Sequence, residues 1–133
     1  MTDQHKVDKS TGLRHLLNAT RNTSRGLMAA FRNESAFRQI VGLCVVMGPL
    51  GIWLGTSGVE RALLVGSLLL MMIVELLNSG IEAVVDRVGL ERHPLSGLSK
   101  DIASAAVGIS ILNFFVMWVL VLWPHYIAPL FGK

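Results

Sequence analysis

Four polar side chains, Glu75, Asn78, Glu82 and Asp86, recur at spacings of three or four residues in an otherwise apolar stretch. At about 100° per residue of an α-helix they fall within an arc of about 80°, so they share one helix face. A carboxylate cluster of this kind can bind Mg²⁺, which usually arrives with nucleotide phosphates. The spacing therefore indicates a candidate acidic site.

The alternative interpretation of this face is a structural seam between helices. An ionisable group at mid-bilayer costs about 2.5–3.5 kcal/mol on insertion scales. A hydrogen bond between membrane helices returns only about 0.6 kcal/mol. The hydrogen bonds of a seam would not offset the cost of burying Glu75 and Glu82. Cations or protons must therefore neutralise these carboxylates, and we favour the interpretation as a binding site.

The elements that position this face are predicted to be membrane helices. The chain has 133 residues, 52% hydrophobic and 16% charged, whereas soluble domains carry about 25% charged residues. We predict one all-α integral membrane domain over residues 1–133. Three apolar segments are long enough to cross a hydrocarbon core of about 30 Å, and they place transmembrane helices at 36–58, 62–86 and 101–123. Residues 12–33 alternate apolar and basic positions as an amphipathic surface helix does.

The distribution of basic residues predicts the topology. Seven of the 12 basic residues lie in the first 38 positions. Nucleic-acid binding is one interpretation of such a segment, but the hydrophobic remainder favours anionic lipid headgroups, and we predict no nucleic-acid partner. The positive-inside rule places the N-terminus and the 86–101 loop in the cytoplasm. We therefore expect a multi-pass membrane protein whose C-terminus lies outside the cytoplasm.

Two further residues complete the candidate site. Glu34, at the end of the amphipathic helix, is a third acid at comparable depth, and Lys100 is a cation suited to phosphate oxygens. The chain lacks the G-x-x-x-x-G-K-[ST] loop of soluble nucleotide-binding proteins. The residues alone thus predict a membrane protein with an acidic intramembrane site.

Three motifs carry a resemblance to a known family. They are residues 34–39 (ESAFRQ), 74–87 (VELLNSGIEAVVDR) and 95–106 (LSGLSKDIASAA). The chain resembles the prokaryotic diacylglycerol kinases, and the central motif, Glu-x-x-Asn-[Ser/Thr]-x-x-Glu at the end of a span, is specific to them. The resemblance implies a homotrimer that transfers the γ-phosphate of ATP to the primary hydroxyl of diacylglycerol, giving phosphatidate.

The same resemblance assigns roles to residues. It implies that Glu75 is the catalytic base, that Asn78 supports the reacting groups, and that Glu34 and Glu82 bind the Mg²⁺ of Mg–ATP. The nucleotide positions it implies are Glu34, Glu82, Glu91, His93, Lys100, Asp101 and His15. The lipid positions it implies are Ala36, Phe37, Arg38, Gln39, Glu75 and Ser104.

The chain departs from the family pattern mainly in its N-terminal helix. His15 stands where the family commonly has Arg, Asn22 and Ser24 stand near positions that are commonly aromatic, and residues 124–133 have no assigned role. Two alternatives to diacylglycerol phosphorylation stay open. One is an undecaprenol kinase of the same fold, and the other is a non-enzymatic membrane protein whose carboxylates bind ions or protons.

Overall fold

The described part of the chain is helical throughout. The computed structural model describes residues 12–89 and 93–132. Their elements, with no strand among them, are α1 (Gly12–Asn33), α2 (Ser35–Leu54), α3 (Gly58–Val88), α4 (Pro94–Leu122), a π-helical turn (Trp123–Ile127) and α5 (Ala128–Phe131). The predicted all-α class is confirmed.

Three helical segments are long and apolar enough to cross a membrane, as predicted. They are α2, α3 and the continuous helical run Pro94–Phe131. The 31 residues of α3 extend about 46 Å at 1.5 Å per residue, which exceeds a hydrocarbon core of about 30 Å. One end of α3 must therefore reach the surface of the bilayer, and the charged residues Glu82, Asp86 and Arg87 lie towards its C-terminal end.

The core of the bundle lies along α3, which packs against both α2 and α4. Its buried members are Ile40, Leu64, Leu68, Met71, Phe114 and Trp118. Gly51 of α2 permits a close approach to α3 and α4, because a Cβ there would lie 3.1 Å from the Leu64 Cβ and 3.3 Å from the Trp118 ring. Most other large apolar side chains face outward, as expected of helices that meet lipid or neighbouring chains.

The connection from α1 to α2 is a single residue. Glu34 has an extended backbone (φ −107°, ψ 116°) between the two helices. The Arg38 guanidinium reaches back from α2, and its Nη1 donates to the carbonyls of Phe31 and Arg32, at 3.1 Å each. These carbonyls belong to the last turn of α1 and have no partner within that helix, so Arg38 caps α1 and holds it against the start of α2.

Capping residues also set where α3 and α4 begin. Ser57 accepts a hydrogen bond from the Glu60 amide at 3.2 Å and caps the start of α3. Residues 55–57 connect the two helices, so α2 ends at Leu54, before the end predicted at residue 58. His93 caps α4 through a hydrogen bond from the Leu95 amide to Nδ1 at 3.2 Å. Pro94 follows at the first helical position, which proline favours. Helix α4 thus begins seven residues before the apolar span that we predict from residue 101.

Candidate active site

The four polar residues on α3 form a row that runs from the bundle interior to its surface. The Glu75 side chain is buried, with 3% of the residue exposed. Asn78 and Glu82 are half-buried, and Asp86 is exposed. Glu75 and Glu82 are seven residues apart, which corresponds to about 10 Å of helix rise. The row therefore offers one carboxylate deep in the bundle and another nearer its end.

Asn78 orients the Glu82 carboxylate. Its Nδ2 donates to Glu82 Oε1 at 3.1 Å, so one oxygen of Glu82 is held in place. The Asn78 Oδ1 is buried and has no partner among the described residues. A buried acceptor without a hydrogen bond costs about 1–3 kcal/mol, which makes this oxygen a position where a ligand or a neighbouring chain can supply a donor.

Glu34 joins these carboxylates although it lies on a different element. It is half-buried at the α1–α2 connection, and both Glu34 and Glu82 lie close enough to Glu75 for their charges to interact. Three carboxylates in one neighbourhood repel each other, more strongly in an apolar surrounding than in water. A bound cation would relieve that repulsion.

Lys100 supplies the positive charge at the exposed end of the row. Its ammonium forms an ion pair with Asp86, which joins the start of α4 to the end of α3. It also lies close enough to Glu82 for their charges to interact. The two paired side chains are 38% and 57% exposed, and such surface pairs contribute only about 0–1 kcal/mol. Lys100 is therefore able to bind a phosphate in place of Asp86 or together with it.

A cavity of about 480 Å³ lies between α1 and α3, next to these groups. Pockets for small ligands commonly occupy about 300–1,000 Å³ and combine an apolar lining with a few polar groups. Ser79 is one such group, and its hydroxyl donates to the Glu75 carbonyl at 3.0 Å. The lining residues are Thr23, Gly26, Leu27, Ala29, Ala30, Asn33, Glu34, Leu76, Ser79, Gly80 and Ala83.

The sequence interpretation did not identify this cavity. The small residues at positions 26, 29 and 30 and at 79, 80 and 83 were its only signal. They show that both helices can approach closely but do not say that the helices face each other.

The remaining predicted residues occupy varied positions. His93 uses its Nδ1 atom in the capping hydrogen bond, and Phe37 is buried, with 2% of the residue exposed. His15 lies in α1, 19 positions before Glu34 and so about 28 Å away along the helix; within one chain it does not reach the carboxylates. Glu91 lies outside the described residues. The exposed members of the predicted set are His15, His93, Ala36, Arg38, Gln39, Asp101 and Ser104.

The donor chemistry suits Mg²⁺ with nucleotide. The described residues contain no group of three or more His, Cys, Asp or Glu side chains able to hold a metal by themselves. Mg²⁺ is usually held by one or two carboxylates together with substrate phosphates and water. Glu34 and Glu82 meet this requirement, because each brings a half-buried carboxylate to the same neighbourhood.

Comparison with known proteins relates this arrangement to a family. The sequence model described as prokaryotic diacylglycerol kinase matches residues 21–122. A diacylglycerol kinase of Pseudomonas aeruginosa is 53% identical over 112 residues, which cover 84% of this chain and 91% of the relative. One of Escherichia coli is 45% identical over 121 residues (90% and 98%), and one of Helicobacter pylori is 38% identical over all 133 residues of both chains. The resemblance of the three motifs is thereby confirmed, the non-enzymatic alternative is excluded, and the chain belongs to the prokaryotic diacylglycerol kinase family.

Proposed function

We propose that this protein phosphorylates 1,2-diacylglycerol to phosphatidate with ATP as the phosphoryl donor. The observation that carries the proposal is the buried Glu75 with the carboxylates of Glu34 and Glu82 close by. Glu34 also lines the apolar cavity between α1 and α3. A kinase family requires a nucleotide donor, and the relatives are named for diacylglycerol as acceptor. The apolar lining of the cavity suits a lipid acceptor better than a soluble one.

In the proposed reaction, Glu75 is the general base. Its carboxylate accepts the proton of the lipid hydroxyl while the hydroxyl oxygen bonds to the γ-phosphorus. The bond from that phosphorus to the β–γ bridging oxygen breaks, and ADP leaves. None of the hydrogen bonds that the described residues form along this helix face engages the Glu75 carboxylate: Asn78 donates to Glu82, Ser79 to a carbonyl, and Lys100 pairs with Asp86. The Glu75 carboxylate is therefore available to the substrate.

Phosphoryl transfer depends mainly on alignment and charge neutralisation. We propose that Glu34 and Glu82 hold the Mg²⁺ of Mg–ATP and that Asn78 supports Glu82. The metal neutralises phosphate charge when it is bound. Lys100, at the same end of the bundle, contributes a cation for phosphate oxygens. The exposed Asp101 and His93 are the nearby candidates for contacts with the rest of the nucleotide.

The site requires a particular membrane orientation. ATP is a cytoplasmic solute, so we propose that the Lys100–Asp86 end of the bundle faces the cytoplasm at the bacterial inner membrane, with the N-terminus on the same side. The basic residues near this end support that orientation. An introduced cysteine at Ser96 should be labelled only after the membrane is opened. Labelling at Ser96 from outside intact cells would contradict the orientation.

We also propose that the active enzyme is a homotrimer. Within one chain, Asn78 Oδ1 has no donor among the described residues, and His15 lies about 28 Å from Glu34 along α1. Neighbouring chains can supply both a donor and a nucleotide contact. An active monomer in mild detergent, established by light scattering of the kinase-competent fraction, would refute this part.

The acceptor is the feature that most needs a direct test, because undecaprenol also offers a primary hydroxyl in the membrane. The purified protein in mixed micelles is to be supplied with Mg–ATP and either 1,2-diacylglycerol or undecaprenol at equal mole fraction. We expect faster phosphate incorporation into diacylglycerol. A higher kcat/KM for undecaprenol would assign the sister activity, whereas no incorporation into either lipid would refute a lipid kinase.

A further inference from the structure

The end of the bundle opposite Lys100 and Asp86 carries a segment without a role in phosphoryl transfer. Helix α4 does not stop at Leu122 but passes through the π-helical turn into α5, so that Pro94–Phe131 forms one helical run of 38 residues. At 1.5 Å per residue this run is about 57 Å long, nearly twice a hydrocarbon core of about 30 Å. The last part must leave the core.

Two hydrogen bonds determine the depth at which the helical run leaves the hydrocarbon core. The Tyr126 hydroxyl donates to the Leu54 carbonyl at 3.1 Å, and His125 Nε2 lies 3.1 Å from Glu60 Oε1. Thr56 binds the other oxygen of Glu60 through its amide (2.7 Å) and its hydroxyl (2.8 Å). The turn between α2 and α3 therefore holds residues 125 and 126 beside the end of α2.

The exposed surface at this end of the bundle is apolar and aromatic. Leu130 and Phe131 are each 80% exposed, and Trp53 at the end of α2 is 79% exposed. The Trp123 and Phe131 rings stack, with 6.3 Å between centroids and 11° between planes. His125 is the only titratable side chain besides Tyr126 between Trp123 and Gly132, so little charge would favour keeping this segment in water.

We propose that residues 123–132, which we call the C-terminal anchor, insert their Trp123, Leu130 and Phe131 side chains into the lipid headgroup boundary on the side opposite the phosphoryl-transfer site. Aromatic rings favour this boundary, and a short apolar segment gains free energy there through the area it buries. We call the hydrogen bonds of His125 and Tyr126 with the turn between α2 and α3 the clasp. They tie the outer ends of α2, α3 and α4 to one another and to one depth in the bilayer.

The test uses a fluorescent reporter in the full-length protein. The single cysteine is removed as Cys44→Ala, Phe131→Cys is labelled with an environment-sensitive dye, and the protein is reconstituted in phosphatidylethanolamine–phosphatidylglycerol vesicles. We expect emission shifted to the blue of the free dye in buffer. We also expect stronger quenching by a nitroxide near the lipid headgroup than by one near the acyl-chain end. The same label at Leu112→Cys, in the middle of the run Pro94–Phe131 and 61% exposed, should show the opposite order.

Two results at position 131 would overturn the proposal. Emission like that of the free dye would place the segment in water. Blue-shifted emission without lipid quenching would show that a second copy of the chain covers it instead.

The clasp is tested with His125→Ala and Tyr126→Phe combined in the labelled protein. We expect the headgroup nitroxide to quench the label at position 131 less strongly. Kinase turnover should be retained, because Glu75 and Glu82 lie 15 and 22 residues along α3 from Glu60. Unchanged quenching would refute the clasp. Tyr126→Phe alone, which removes one oxygen, decides the question in the same way if the double variant does not fold.

Discussion

Replacement of Glu75 by Gln tests the chemistry most directly. The amide keeps the volume of the side chain, so no cavity forms at a position where only 3% of the residue is exposed. It also removes a charge that is costly to bury and that the described hydrogen bonds along this face leave unpaired. The folded protein should therefore be at least as stable as wild type, since replacing a buried charge by a neutral group is often neutral or stabilising.

The rate should respond in the opposite direction. A positioned general base contributes about 10²–10⁴-fold to a reaction, which corresponds to about 3–5 kcal/mol of transition-state stabilisation. Because Gln can still accept a hydrogen bond from the lipid hydroxyl, the KM values for lipid and Mg–ATP should change little. The loss should appear almost entirely in kcat.

The assay is phosphate transfer to diacylglycerol in mixed micelles, with unfolding by denaturing detergent measured on the same samples. Glu60→Gln is the matched control for kcat, because it makes the same chemical change in the same helix about 22 Å away. Its kcat should equal that of wild type. A stable Glu75→Gln protein whose kcat stays within about threefold of wild type would end the assignment of Glu75 as general base.

Three further changes test contacts of the site and the fold. Asn78→Ala removes the donor to Glu82 Oε1 and should raise the KM for Mg–ATP about tenfold, as expected for a hydrogen bond to a charged group; an unchanged KM in a Mg²⁺ titration would argue against this support. Arg38→Met removes both caps of α1 and should speed tryptic cleavage within α1 in vesicles about fivefold, a loss of about 1 kcal/mol, with Arg38→Lys intermediate; equal cleavage rates would show that other contacts hold α1. Gly55→Ala would place a Cβ 2.7 Å from the Arg61 Cγ and should lower the free energy of unfolding by about 1–3 kcal/mol. Gly58→Ala, which meets nothing within 4 Å, is its control, and equal unfolding midpoints would refute the steric argument.

The elements that the sequence predicted are those specified by local patterns. Hydropathy over about 20 residues locates a membrane helix, and the 100° periodicity places Glu75, Asn78 and Glu82 on one face whatever surrounds that face. Helix ends were harder to predict. Residues 94–100 are partly polar and leave no hydropathy signal, although His93 and Pro94 together form a start signal that could have been recognised.

Contacts between elements could not be predicted in the same way. The partner of Lys100 is Asp86, and that of Arg38 is the end of α1. Each depends on how two helices meet in space. The cavity between α1 and α3 depends on the angle at Glu34, which one extended residue determines. The residue types were visible in the sequence, whereas their targets required the three-dimensional arrangement.

The single-residue joint at Glu34 has a mechanical consequence. Any tilt of α1 about this joint displaces the carboxylate that we assign to the metal, and α1 is the helix that we expect to rest on the lipid surface. Bilayer curvature and headgroup crowding would therefore bear directly on the geometry of the site. The proposed reaction also changes that surface, because it converts a neutral lipid into an anionic one beneath a basic helix. Accumulated anionic product would attract the basic helix α1 more strongly to the leaflet. The product would thereby affect the position of α1 at the Glu34 joint, and so the enzyme that makes it.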